Sequence, residues 1–154
     1  MSRKEKFLGE VKQLLAEKVE AVEKAFSDSS AAATDPDSKA ESKYDTRSLE
    51  MSYLAAGQAE KLRLAREEVE RLEKFSLREF AVSDEIGEGA LVEVEREGVW
   101  KSYLLLPAGG GLTFEDEDGL VTILGPRSPL FESLKGARLG QEFGFEGDVV
   151  SEIC

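Results

Sequence analysis

The sequence contains no histidine and a single cysteine, Cys154. Without histidine there is no imidazole to serve as the general base of serine and cysteine hydrolases, and every histidine-containing metal site is excluded. One cysteine excludes an intramolecular disulfide and a cysteine-built metal cluster, and it suits a reducing compartment. Long apolar runs are missing too. No stretch approaches the ~20 apolar residues that cross a bilayer, and residues 1 to 6 lead into a charge-studded amphipathic pattern instead of the apolar core of a leader. The expectation is a cytoplasmic protein with no membrane contact, in which chemistry falls to carboxylates, lysine, tyrosine or serine.

Basic side chains are scarce and unevenly spread. Lys plus Arg number 20 against 32 Asp plus Glu in 154 residues. Residues 1 to 80 hold 15 basic and 17 acidic side chains, whereas residues 81 to 154 hold 5 and 15, so the second part carries −10 of the formal −12. Such a surface repels phosphate backbones, which disfavours direct nucleic-acid binding and favours a protein partner with a basic patch. The length allows one or two small domains at ~100 to 200 residues each.

Leu8, Val11, Leu15, Val19, Val22 and Phe26 recur at steps of three and four, with Lys and Glu between them, and predict an amphipathic helix over residues 5 to 26. The small, polar stretch 27 to 36 ends in proline and reads as a connection. A second seam follows through Tyr44, Ser48, Met51, Ala55, Gln58, Leu62, Ala65, Val69 and Leu72. Two helices with facing seams make an antiparallel coiled-coil hairpin over residues 1 to 78. A second helix of roughly 36 residues is about 54 Å long, so its far end is expected to project as a thin rod with the connecting loop at its tip.

From Ala90 the pattern changes to alternation. Residues 91 to 95 and 99 to 106, joined by Arg96-Glu97-Gly98, read as a strand hairpin, and 120 to 124 continues the sheet after a Glu115-Asp116-Glu117-Asp118-Gly119 turn. Ser128-Pro129 is a helix start, with Ser as N-cap and Pro at the first helical position, and Gly136 closes a short helix. Residues 143 to 145 and 149 to 153 form a last hairpin. The expected class is α+β: the helical hairpin, then a small antiparallel-sheet domain with one short helix over 84 to 154.

Asp37, Glu41 and Asp45 are spaced by four at the expected tip, where two carboxylates on one helix face suit a hard divalent cation such as Mg²⁺. The competing reading is structural: Ser38 with Glu41 is a capping box, and Asp35 and Asp37 suit the positive end of a helix dipole. Lys39, Lys43 and Arg47 form a second stripe, either a solvated face or a contact to phosphates presented by a partner. Gly109-Gly110-Gly111 lacks the Gly-Lys-Ser/Thr of a phosphate loop and reads as a sheet connection. Asp116 to Gly119 reads as a turn, and Trp100 and Tyr103 as sheet residues.

A long helical hairpin with an acidic tip, followed by a sheet domain containing Ser128-Pro129-Leu130, Leu134 and Gly136, resembles the Gre family of bacterial transcription elongation factors. Residues 40 to 47 (AESKYDTR), with Leu49-Glu50 and residues 52 to 58 (SYLAAGQ), are similar to a Gre-like subgroup. The resemblance implies an FKBP-like sheet domain that docks on the rim of the RNA polymerase secondary channel, with Ser128, Pro129 and Leu130 as partner-binding residues. It also implies that the hairpin enters the channel. There Asp37 and Glu41 would help to hold a Mg²⁺ shared with the polymerase, so that backtracked RNA is cut, and Lys39, Lys43 and Arg47 would meet RNA. Nascent RNA is then touched only within the polymerase complex, and the polymerase remains the enzyme. The family tip has an Asp with a Glu three residues later, then Asn and Tyr. Asp37 and Tyr44 keep their separation, but Ala40 stands three after Asp37, with Glu41 one further and Ser42 in place of Asn.

Other readings stay open. One is a secondary-channel regulator that occludes the channel or competes with cleavage factors without stimulating cleavage. Another, from a different class, is a peptidyl-prolyl isomerase, which needs a proline pocket lined by aromatic residues such as Trp100, Tyr103, Phe114 and Phe143. A third is a plain coiled-coil adaptor.

Overall fold

The two helical periodicities become two helices, α1 over Arg3–Thr34 and α2 over Arg47–Glu73. The structure is a computed structural model that describes residues 1–34, 47–144 and 147–154. The first helix runs beyond Phe26 to Thr34, through residues expected to form a connection. Ala31, Ala32 and Ala33 are the strongest helix formers, Ser and Asp cost only about half a kcal/mol each, and the first residue unable to continue a helix is Pro36. Polarity alone was a poor stop signal. The expected beginning of the second helix, before Arg47, lies outside the described residues.

Contacts divide the chain into two compact units: Gln13–Glu70, and Met1–Lys12 together with Arg71–Cys154. In the helical unit Leu15, Leu62 and Ala65 are buried, while Val19, Val22, Phe26, Ala55, Gln58 and Val69 are half-buried along the expected seams. Lys18 pairs with Glu68 at 3.7 Å and Glu23 with Arg66. Advancing along α1 thus means retreating along α2, which makes the pair antiparallel.

The second unit is built on six strands: β1 Leu91–Arg96, β2 Val99–Leu105, β3 Thr113–Asp116, β4 Gly119–Leu124, β5 Glu142–Phe143 and β6 Asp148–Ile153. Their order is β3-β4-β2-β1-β6-β5. The β1–β2 hairpin closes through Glu97 and Gly98 at φ 52° and 78°, the two left-handed residues of a tight turn whose twist matches the strands. One face of the sheet packs Val92, Val94, Leu105, Leu124, Val150 and Ile153 against Phe131 and Leu134 of a short helix, α3 Pro129–Leu134. The opposite face carries Leu91, Leu104, Val121 and Ile123, all buried. Phe7 stacks on Phe114 at 5.9 Å. Val11 fits against Gly109, where a Cβ would come within 2.6 Å of Val11 Cγ1.

The sheet is mixed where an antiparallel one was expected: β2 and β4 run parallel from Ser102↔Val121 to Leu105↔Leu124. Val121 and Ile123 need cover on both sides, which only an interior strand has, whereas β3 has no fully buried residue and takes the edge. Period-two alternation reports a buried face but not the direction of a neighbour. The class is α+β, with an N-terminal helix pair and a mostly antiparallel sheet.

Candidate functional site

Of the residues singled out at the tip, Asp37, Lys39, Glu41 and Lys43 lie outside the described residues, and Arg47 opens α2. Ser128, Pro129 and Leu130 are brought together at the start of α3. Proline at the first helical position removes an amide that would otherwise lack a partner, and Gly136 at φ 82° ends the turn. Ser128 accepts Glu132 N–H on its carbonyl at 3.2 Å, but its side chain makes no cap hydrogen bond. The expected N-cap is therefore a backbone position only. Pro129 is exposed and Leu130 half-buried, packed against the core beneath α3. One face of the turn is tied into the core while the other meets solvent.

One concavity of the sheet unit is a groove of about 960 Å³ on the Phe114 side. Its walls include Arg3, Lys4 and Glu79, and its floor Glu93, Ser102 and Glu152, with Trp100 and Leu120 at the rim. Arg3 forks onto Asp116, Nε to Oδ2 at 2.8 Å and Nη2 to Oδ1 at 2.9 Å, which holds the Asp116 carboxyl below the usual range and raises Arg3 further. Lys4 is buried and donates from Nζ to the carbonyls of Arg78 at 2.6 Å and Gly89 at 3.1 Å. Both cations are spent on internal partners.

Glu93 stands directly opposite Glu152 across β1 and β6, beside a register shift. Burial first, and then the facing carboxylate, pushes Glu93 above the usual carboxylate range. Burial likewise raises the Tyr103 phenol and the Cys154 thiol, so neither is activated as a nucleophile. Physically the groove suits recognition better than bond-making. Sequence reading had not found it: alternation in 91 to 96 puts Glu93 on a face, but the pairing with Glu152, 59 positions later, requires the register. Among the described residues no group of three or more acidic or cysteine side chains is placed to hold a metal ion.

The four aromatic residues considered for a proline pocket do not converge. Trp100 is 58% exposed, Tyr103 packs towards the α3 core, Phe114 stacks on Phe7, and Phe143 is buried under α3. No described helix is long and apolar enough to cross a membrane.

No protein-family model matches the chain, and no curated protein sequence matches it. Solved structures do. The transcription factor Gfh1 aligns at 16% identity over 92% of both chains, with a TM-score of 0.39. GreA factor homolog 1 (Gfh1) of Thermus thermophilus aligns at 15% identity over 93% of this chain and 94% of its own, with a TM-score of 0.36. Thermus aquaticus Gfh1 aligns at 17% identity over 92% of both, with a TM-score of 0.37. These overlaps are loose, and the architecture described above rests on the chain's own helices and strands; what the chain is similar to, over nearly its full length, is a GreA factor homologue.

Proposed function

We propose that this protein is a transcription elongation factor that binds bacterial RNA polymerase, with the sheet unit docking at the rim of the secondary channel and the helix pair carrying residues 35–46 inward. The observation that carries the reading is the setting of the Ser128-Pro129-Leu130 motif. It forms an exposed helix start fastened to a sheet core, in a chain whose other unit is an antiparallel helix pair. Ser128, Pro129 and Leu130 are the docking residues in this account, and the strongly acidic second part of the chain seeks a basic partner.

Asp37 and Glu41 are hard oxygen donors of the type Mg²⁺ takes. In this reading they would lend negative ligands to a cation at the polymerase active centre, where the metal activates water and stabilises charge on the scissile phosphate. The protein contributes placement and charge, and the polymerase catalyses. Lys39, Lys43 and Arg47 would face RNA.

Capture by core RNA polymerase is the first test: the intact protein should bind, and Pro129→Asp should weaken binding about tenfold or more. Stalled, backtracked complexes should then release short 3′ RNA fragments faster, and Glu41→Ala should abolish the gain while binding persists. Ala40, three residues after Asp37, favours one second reading, a non-cleaving regulator of the same channel. Retained binding with unchanged cleavage would select it. Loss of binding altogether would overturn both.

A further inference from the structure

The face of the sheet beneath the first turns of α1 is only partly covered. Phe7 on Phe114 and Arg3 on Asp116 close it over β3, and the groove lies over the remainder. In the strand register Glu152, Glu93 and Ser102 form one row across β6, β1 and β2, so their side chains stand on the same side. Trp100, two residues before Ser102 on β2, projects to that side as well and is 58% exposed. It sits diagonal to Glu93, a position separated by ~7–8 Å in such sheets. That is too far for a direct contact and wide enough for a flat cation between them. Ser102, directly opposite Glu93, is small and half-buried and takes up little of this space.

The row is electrostatically incomplete. Carboxylates facing each other on neighbouring strands repel. Arg3 acts on Glu93 only through space, because its donors fork onto Asp116. Lys4 donates to two backbone carbonyls, and Lys101, opposite Val94 in the register, projects from the other side of the sheet. Among the described residues no cation forms an ion pair with Glu93 or Glu152.

We propose that this groove binds an arginine-bearing segment of a protein partner, with one guanidinium stacked on the Trp100 indole and forked onto Glu93 and Glu152. Charge complementarity selects the occupant: phosphates and other anions are repelled by the two carboxylates. A guanidinium is planar, stacks on an aromatic face and offers paired donors to carboxylates, whereas an ammonium is a point charge. At about 960 Å³ the groove exceeds what one side chain fills, so it also takes residues flanking the arginine. An exposed tryptophan at the rim of a concave face is a common anchor of protein interfaces.

Nuclear magnetic resonance of the intact, ¹⁵N-labelled protein, titrated with acetyl-Ala-Arg-Ala-amide at about 0.15 M salt, reads the site residue by residue. Saturable shifts should concentrate at the indole N–H of Trp100, the one tryptophan of the chain, and at the amides of Glu93, Ser102 and Glu152. Glu93→Gln and Glu152→Gln should each weaken binding about tenfold. Trp100→Ala, and replacement of the probe by acetyl-Ala-Lys-Ala-amide, should each weaken it about threefold. Glu20→Gln removes the same charge from the exposed surface of the helical unit and should leave binding unchanged. The amide spectrum of each variant verifies that it is folded. The proposal is overturned by shifts that do not saturate or that scatter over the acidic surface, by equal weakening in Glu20→Gln, or by a lysine probe that binds as well as the arginine one. No arm of the test contains polymerase, so its outcome is separate from that of the function proposed above.

Discussion

The two units solve the same problem with different means. In the sheet unit apolar side chains are covered from both faces: Phe7, Val11, Leu104, Ile123, Phe131 and Leu134 are at most 2% exposed, and even Lys4 is buried with its ammonium satisfied by two carbonyls. In the helical unit only Leu15, Leu62 and Ala65 are buried among the described residues, and polar contacts such as Glu23–Arg66 lie in solvent. The described residues of that unit form two helices with one seam between them. Stability should therefore concentrate in the sheet unit, and local opening in the helical one.

The sharpest way to break that contrast is to cut the same kind of hole in each unit. Phe131→Ala, at a site walled on all sides, should cost about 3–5 kcal/mol in urea unfolding. Leu62→Ala, in a seam able to close over the gap, should cost about 2–3 kcal/mol. Equal losses would mean the seam is as rigid as the sheet core. Smaller still is the ion-pair contribution: Arg66→Ala should change stability by less than about 1 kcal/mol, and less again at high salt.

The smallest expected effect has a sign that can be checked. Because Glu93 is raised above the usual carboxylate range, its ionisation opposes folding. The folded state keeps that proton more tightly than the unfolded chain does, so stability falls as pH rises through the raised value. Glu93→Gln should therefore stabilise the protein by about 0.5 kcal/mol at pH 7. The gain should vanish near about pH 3, where Glu93 is protonated in both states. Unfolding curves at the two pH values read the difference.

Much of the architecture was legible in the residues because its cause is periodic. The seam positions Leu8 to Phe26 of α1 and Ala55 to Leu72 of α2, the hairpin around Glu97-Gly98 and the helix opened by Pro129 and closed by Gly136 appear where spacing and turn chemistry put them. What escaped depends on partners distant in sequence. Phe7 is buried because Phe114 faces it, Lys4 because Arg78 and Gly89 offer carbonyls, and β4 is interior, between β3 and β2, through pairings that alternation does not declare. Of the candidate site, the Ser128 motif was legible, since it is local. The opposition of Glu93 and Glu152 was not, because a strand does not declare its neighbour.

The division of the chain carries one more consequence, for the order of assembly. Residues 1–12 settle with residues 71–154, while residues 13–70 form their own unit. As the polypeptide emerges from a ribosome, the helical pair can close as soon as its own residues are out. Phe7 and Lys4 must wait, solvated, until Phe114 and Gly89 have been synthesised, and β1 lacks one neighbour until β6 arrives. Residues 1–12, made before residues 13–70, thus find their place after them.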